Sequence, residues 1–383
     1  MTFQISNKTL EKYKNKNFEE LFGECEIVEN EFGEFLKIIN PFSIEDFQIQ
    51  SITKEELGIF ERILRSEFQL IPGIGEKKSL EFNKRSMSDM SDLLGLYAKY
   101  SCQISEILGT ISSKDIHKLR MLKKTHDEDY LFCVNDQDML FLDIETTGRA
   151  TSEVFLIGIG YYCSETSRFR TELLFAREIS EEVAVLSYFL KQLPRYKMFV
   201  TYNGRSFDIP FLQNRVSVLF EPDDLEDTFK QIVRSDPIQN TIGAYGFAKQ
   251  LFDQFIHFDL YYAFRRDFKN FFPNYRLTTV EQFLLDFKRV ENLPSSEVPL
   301  AYKLYIEDTR SYMGAIYKIL EHNFFDVVNL ERLLSKWMHS QIENYYVKNY
   351  QTQSQTRNYE GILTKLTRSK SRLRSYNLDP FLE

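Results

Sequence analysis

The rhythm of hydrophobic and polar positions changes once along the chain, near residue 136. Before it, helical spacing dominates. Leu57, Phe60, Leu64 and Phe68 recur at three- and four-residue intervals, which predicts an amphipathic helix over 53–68. Residues 88–124 continue as helices and end in the basic run Lys118-Leu-Arg120-Met-Leu-Lys123-Lys124, read as a solvated face. Further upstream, Glu26 to Ile39 predicts a hairpin around Asn-Glu-Phe-Gly. Thr125 to Asp129 is polar and reads as a linker.

From Asp136 the pattern is α/β. Strands are predicted at 138–145, 153–162 and 168–176, and a helix at 178–193 with Val183, Leu186, Leu190 and Leu193 inward. A strand from Met198 to Tyr202, an Asn-Gly turn and a helix with Asp208 in its first turn follow. The order βββαβα predicts a mixed sheet of antiparallel and parallel strands. Gly158 and Gly160 share one face of the second strand, where a helix or backbone can approach closely. Residues 216–256 read as an insertion, with a mobile turn at Gly243 to Gly246. Phe258 to Tyr262 reads as a short strand entering a helix. Met313, Ile316, Leu320, Phe324, Val327 and Leu334 form the stripe of a last helix over 310–337, with His322 and Asp326 beside it. Four regions are expected: a strand-containing segment (1–50), a helical region (51–128), the α/β domain (136–338) and a polar, locally basic tail (339–383).

Composition narrows the function classes. Of 383 residues 43% are hydrophobic, enough for a sizeable core. The formal net charge of −8 argues against a generally basic nucleic-acid coat but leaves local basic patches possible. Cys25, Cys102, Cys133 and Cys163 form no C-x-x-C pair, so neither zinc nor a disulfide framework is indicated; buried reduced thiols of a cytoplasmic protein are expected. Residues 1–16 lack an apolar signal core, and no apolar run approaches a membrane span, so no membrane partner is expected.

The candidate chemistry begins at Phe141-Leu-Asp143-Ile-Glu145-Thr146-Thr-Gly148. Residues two apart on a strand share a face, so Asp143 and Glu145 stand side by side while Ile144 turns to the core. Two adjacent like charges are costly unless a cation lies between them, and hard divalent ions prefer oxygen ligands. Two solvated carboxylates at a strand-to-turn junction are the plainer alternative. The company of the pair decides. Asn203-Gly204-Arg-Ser-Phe207-Asp208 follows a strand, and His322 and Asp326 lie four apart on one helical face.

Together, Asp143, Glu145, Asp208 and Asp326 resemble the four acids of the DEDD 3′→5′ exonuclease superfamily, whose core is ribonuclease-H-like. His257-Phe-Asp259-Leu260, Arg276-Leu277-Thr-Thr-Val-Glu281, Pro299-x-x-Tyr302 and Glu321-His-Asn-Phe-Phe-Asp326 fall in the order of YprB-type domains over roughly 136–338. The stretch from Asn214 to His257 is longer than such domains need. Around Lys288 to Ser296 a Gly-containing turn is replaced by Leu293-Pro-Ser-Ser; neither departure is expected to touch the acids. The resemblance implies a metal-dependent nuclease in which the four acids hold two Mg²⁺ or Mn²⁺ ions. It implies that His322 takes or orients a water proton. It places Thr146, Asn203 and Phe207 around the terminal nucleotide of DNA or RNA, with a single-stranded 3′ end. His257 is expected to be a packing residue, not a ligand.

Leu70-Ile-Pro72-Gly73-Ile74-Gly75-Glu-Lys77-Lys78 resembles a helix-hairpin-helix turn. Gly73 and Gly75 would bring backbone N–H groups to a phosphate, and Lys77 and Lys78 would add charge. A glycine turn with solvated lysines is the other reading. The aromatic and basic stretch Tyr261 to Arg276 would stack bases if it is not core. The rival to catalysis is a non-catalytic nucleic-acid-binding protein on the same fold; a structural protein with incidental acids is a third reading.

Overall fold

The computed structural model describes residues 5–43, 47, 49, 51–149, 151–232, 243–290, 293–350 and 374–376. At its centre is a seven-stranded sheet in the order β1-β2-β5-β4-β3-β6-β7. Its strands are β1 (Cys25–Asn30), β2 (Gly33–Ile39), β3 (Met139–Thr146), β4 (Val154–Tyr162), β5 (Phe169–Phe175), β6 (Met198–Thr201) and β7 (Ile256–Asp259). β1 to β5 pair antiparallel, while β3–β6 and β6–β7 are parallel. The expected mixed sheet is therefore present. The N-terminal hairpin is also part of it, since β2 pairs with β5 through Leu36 to Ile39. Nothing in the local pattern of residues 26–39 announces that partner, because edge pairing is set by tertiary context.

The helices are α1 (Asn7–Tyr13), α2 (Phe18–Phe22), α3 (Lys54–Arg65), α4 (Glu76–Lys84), α5 (Ser101–Ser113), α6 (Ile116–Arg120) and α7 (Glu182–Gln192). After them come α8 (Asp208–Leu219), α9 (Glu226–Ile232), α10 (Ala244–Asp253), α11 (Leu260–Asp267), α12 (Leu277–Leu285), α13 (Val298–Glu307) and α14 (Met313–Tyr350). A short strand β8 (Phe287–Arg289) pairs in parallel with β9 (Arg374–Tyr376). The predicted helix near 53–68 is α3, opened by a Thr53–Glu56 capping box that satisfies two of its free N–H groups. Leu57, Phe60 and Leu64 are its buried stripe.

Several expectations change. The stripe predicted for the last helix is too narrow: from Met313 to Glu331 every residue of α14 is buried. One side of α14 lies on β3 and β4, and α1, α3, α12 and α13 contact it as well. That second layer also explains the polar groups inside it, which pair with one another: Tyr162 Oη donates to Glu331 at 2.6 Å. α7 is likewise buried beyond its predicted face, with Ala184, Val185 and Phe189 inside and Val183 half-buried. Gly243 to Gly246 opens α10 instead of forming a loose turn. The segment expected as a linker is packed, because its acids have partners: Asp127 accepts the His257 N–H at 2.8 Å, and buried Glu128 lies 3.0 Å from Arg205. Arg120, expected at a solvated face, donates to Asp127 and to the carbonyls of Asp253 and Phe255. Of the cysteines only Cys163 is buried, and Cys102 is exposed. The tail continues α14 to Tyr350; Gln351 to Thr356 and the basic residues Arg357 to Arg372 lie outside the described residues. No helix among the described residues is long and apolar enough to cross a membrane.

Candidate active site

Three elements deliver the four acids to one place. β3 brings Asp143 and Glu145 on one face, opposite the apolar Leu142 and Ile144. Its neighbour β4 sets Gly158 beside Asp143, and the register shifts in a bulge between Glu145 and Thr146 at the strand's end. Asp208 is the first residue of α8, and its Oδ1 accepts the Ile144 N–H at 3.1 Å. That bond ties the helix start to β3 at the residue between the two strand acids. The turn before it is held by Asp259, which accepts the N–H groups of Asn203 (2.8 Å) and Arg205 (2.9 Å). Asn203 has φ +64°, the left-handed conformation that asparagine tolerates better than most residues. Asp326 and His322 come from α14.

The glycine face of β4 determines how closely α14 lies. A Cβ on Gly158 would stand 1.9 Å from Asn323 Oδ1, and one on Gly160 would stand 2.8 Å from Val327 Cγ1. The expected close approach is thus real, and it is made by the helix that carries Asp326. Asn323 uses the proximity: its Nδ2 donates to Asp143 Oδ2 at 2.7 Å.

His322 Nε2 lies 3.2 Å from Asp326 Oδ2 and 3.9 Å from Glu145 Oε1. One donor atom each from Glu145, His322 and Asp326 falls within 4.8 Å of the others. All three side chains are buried. Burial, then the charges of Asp326 and Asp208, hold the Asp143 and Glu145 carboxyls well above the usual range. Asp208 is pushed up to about 7, first by burial. His322 is shifted the other way, down, chiefly by burial and also by Arg289, with Asp326 opposing.

Arg289 of β8 was not foreseen as part of this cluster. Its guanidinium donates to Asp326 Oδ1, to both carboxylate oxygens of Glu281 and, from Nη1, to His322 Nδ1 at 3.2 Å. Arg289 thus corrects the expectation that the departure at Lys288 to Ser296 leaves the acids untouched. Because an arginine offers only protons, His322 Nδ1 is the acceptor and neutral His322 carries its hydrogen on Nε2. A signal was available: Phe287 and Arg289 lie two apart on a strand, so an apolar residue and an arginine share the inward face. Asn323 and Asn329 were also missed; each is fully buried on α14, and Asn329 Nδ2 donates to Glu281 Oε1 at 2.8 Å.

Of the residues expected around a nucleotide, Thr146 is buried with its hydroxyl on the Gly148 carbonyl (2.8 Å), and Phe207 is exposed beside Asp208. Ser206 Oγ and Tyr262 Oη are 2.7 Å apart, which sets a second exposed aromatic ring near that position. His257 is a packing residue, its Nε2 2.8 Å from Thr201 Oγ1 and its pKa lowered to about 3, mainly by burial. In the glycine turn, Gly73 has φ +84° and Gly75 caps α4 without a side chain. Lys77 is exposed, but Lys78 Nζ donates to Tyr100 Oη at 2.7 Å. Among the described residues, none of the cluster's hydrogen bonds or ion pairs reaches Gly73, Gly75, Lys77 or Lys78.

Comparison with known proteins agrees with this geometry. The chain is 24% identical over 279 residues to the uncharacterized protein YprB of Bacillus subtilis (strain 168), an alignment covering 72% of this chain and 54% of the relative. The chain thus spans about half the length of the curated relative it matches. A sequence model of the RNase H superfamily matches residues 140–338, from the strand of Asp143 to the helix of Asp326. A sheet of this order, with two of the acids on its inner strand β3, is the frame of that match, and the chain belongs to the RNase H superfamily with a YprB-type domain.

Proposed function

We propose that the protein is a metal-dependent nuclease, and specifically a 3′→5′ exonuclease acting on DNA or RNA ends. The observation that carries the reading is the convergence of Asp143, Glu145, Asp208 and Asp326 from three elements into one largely buried cluster, with His322 among them. The donor set fits Mg²⁺ or Mn²⁺. It is rich in hard carboxylate oxygens, and their mutual repulsion is what a cation relieves. Two such ions, held by the four acids, would supply Lewis acidity for water attack and for the departing oxygen.

The chain's own residues do the rest. Asn323 fixes the Asp143 carboxylate, and the Ile144 N–H fixes that of Asp208. The tautomer favoured by Arg289 makes His322 Nε2 a donor, which suits holding a water or phosphoryl oxygen in line. Phe207, exposed next to Asp208, and Tyr262, exposed with its hydroxyl on Ser206, offer rings on which unpaired bases stack, which favours a single-stranded end. The Gly73–Lys78 turn is a second, weaker contact to backbone phosphates.

The test is release of mononucleotides from 5′-labelled DNA and RNA oligonucleotides with Mn²⁺, compared among the parent, Asp143→Ala and His322→Ala. Stepwise shortening from the 3′ end by the parent, abolished in Asp143→Ala and slowed about 10²–10⁴-fold in His322→Ala, is expected. Binding of the oligonucleotides without turnover by the parent would instead identify a nucleic-acid-binding protein.

A further inference from the structure

We propose that Arg289 is a positioning residue for the cation-binding group: braced by Glu281, its guanidinium holds the Asp326 carboxylate in the arrangement that receives a divalent ion and turns the His322 ring beside it. The inference rests on the metal-dependent reading above.

A buried arginine beside a site for cations looks misplaced, since its charge competes with the ion. The geometry resolves this. Arg289, only 8% exposed, spends Nε and Nη2 on the two oxygens of Glu281, itself fully buried. Glu281 is fixed in turn by Asn329 Nδ2. That carboxylate offsets the guanidinium, so the negative charge of the four acids remains for the ion. What Arg289 adds is direction. Nη2 also reaches Asp326 Oδ1, which leaves Oδ2 facing His322 and Glu145. Nη1 takes both His322 Nδ1 (3.2 Å) and the His322 carbonyl (3.3 Å), fixing the ring against its own helix. The ring of Phe325 lies 5.8 Å from the guanidinium carbon and closes another side.

Only a planar fork with five donors serves three acceptor groups at once; the ammonium of lysine cannot. The partner of a ligand that is not itself a ligand orients it, and its loss lowers metal affinity by about 10–100-fold.

The experiment is calorimetric titration of the full chain with Mn²⁺, together with thermal unfolding without metal. The charge-balanced double variant Arg289→Met/Glu281→Gln removes the brace without leaving a lone buried charge, and its Gln still accepts from Asn329. It is expected to bind Mn²⁺ about 10–100-fold more weakly than the parent. Arg289→Lys, which reaches one acceptor group or the other, is expected to fall between them. Mn²⁺ affinity within twofold of the parent in the folded double variant overturns the proposal and leaves Arg289 as core packing. Should the double variant not fold, parent-like affinity in Arg289→Lys overturns it equally. If the folded parent takes up no Mn²⁺, the metal-dependent reading itself fails and this inference with it, an outcome distinct from an affinity that ignores Arg289.

Discussion

Gly158→Ala probes how the last helix is seated on the sheet. The added Cβ would stand 1.9 Å from Asn323 Oδ1, 2.8 Å from its Cγ and 2.9 Å from Val327 Cγ2. Favourable carbon contacts lie at about 3.5–4.0 Å, so Asn323 must move by more than about an ångström or α14 must lift. Overpacking of this kind costs about 1–3 kcal/mol. Asn323 also gives up its 2.7 Å bond to Asp143, a hydrogen bond to a carboxylate worth about 1.5–3 kcal/mol. The expected loss is therefore about 2.5–6 kcal/mol. Asn323→Ala vacates the space that the new methyl needs and leaves only the contact with Val327. In that background Gly158→Ala is expected to cost about 2 kcal/mol less, a coupling that a double-mutant cycle reads directly. Urea unfolding of the metal-free proteins supplies all four free energies. A Gly158→Ala protein within about 0.5 kcal/mol of the parent, the range of an ordinary surface substitution, would refute the close seating of α14.

Three further outcomes are expected. Asp143→Asn removes a carboxyl whose folded pKa lies above its unfolded one, so the parent loses stability as pH rises above the ordinary carboxylate range; the variant should be the more stable metal-free protein at pH 8, the gap should narrow towards pH 4, and a pH-independent gap in melting temperature would count against it. Glu331 is raised from 4.5 to about 7, first by burial, so Glu331→Gln should stabilise at pH 8 by at most about 3 kcal/mol and do little at pH 4, as measured by urea unfolding at the two pH values. Lys77→Glu should weaken binding to all oligonucleotides alike and reduce its salt dependence without loss of stability, whereas Lys78→Glu should also lower the melting temperature because Tyr100 loses its donor; fluorescence-anisotropy titrations at two salt concentrations separate the pair.

The parts of the site that lay in runs of sequence were legible, because strand and helix periodicities fix which residues share a face. The alternation of β3 put Asp143 and Glu145 on one face, and the four-residue spacing of α14 did the same for His322 and Asp326; the resemblance, not the spacing, made them candidates for one site. The two glycines of β4 announced a close approach, though not its partner. What stayed hidden was decided between elements. Glu281 and Arg289 meet Asp326 across α12, β8 and α14, and a charged residue in a short strand carries no mark of its distant partner. The same holds for the N-terminal hairpin, whose alternation fits an isolated ribbon as well as a sheet edge. Burial of α14 on more than one side defeated the amphipathic reading for the same reason: α1 and α3, from far earlier in the chain, cover it together with α12 and α13.

The seating of α14 has a consequence for the chain's birth on the ribosome. Asp143 and Glu145 emerge early and Asp326 late, separated at ordinary synthesis rates by roughly 10–40 s. Throughout that interval the space over Gly158 lacks Asn323 and Val327, and Asp143 lacks the Asn323 amide. Tyr13, made long before Tyr317, gains its stacking contact with that ring, at 4.3 Å, only when α14 arrives. A nascent or prematurely released chain thus carries two or three of the acids but not the arrangement. The cluster is therefore incomplete until α14 has been made and seated, a delay that needs no inhibitor.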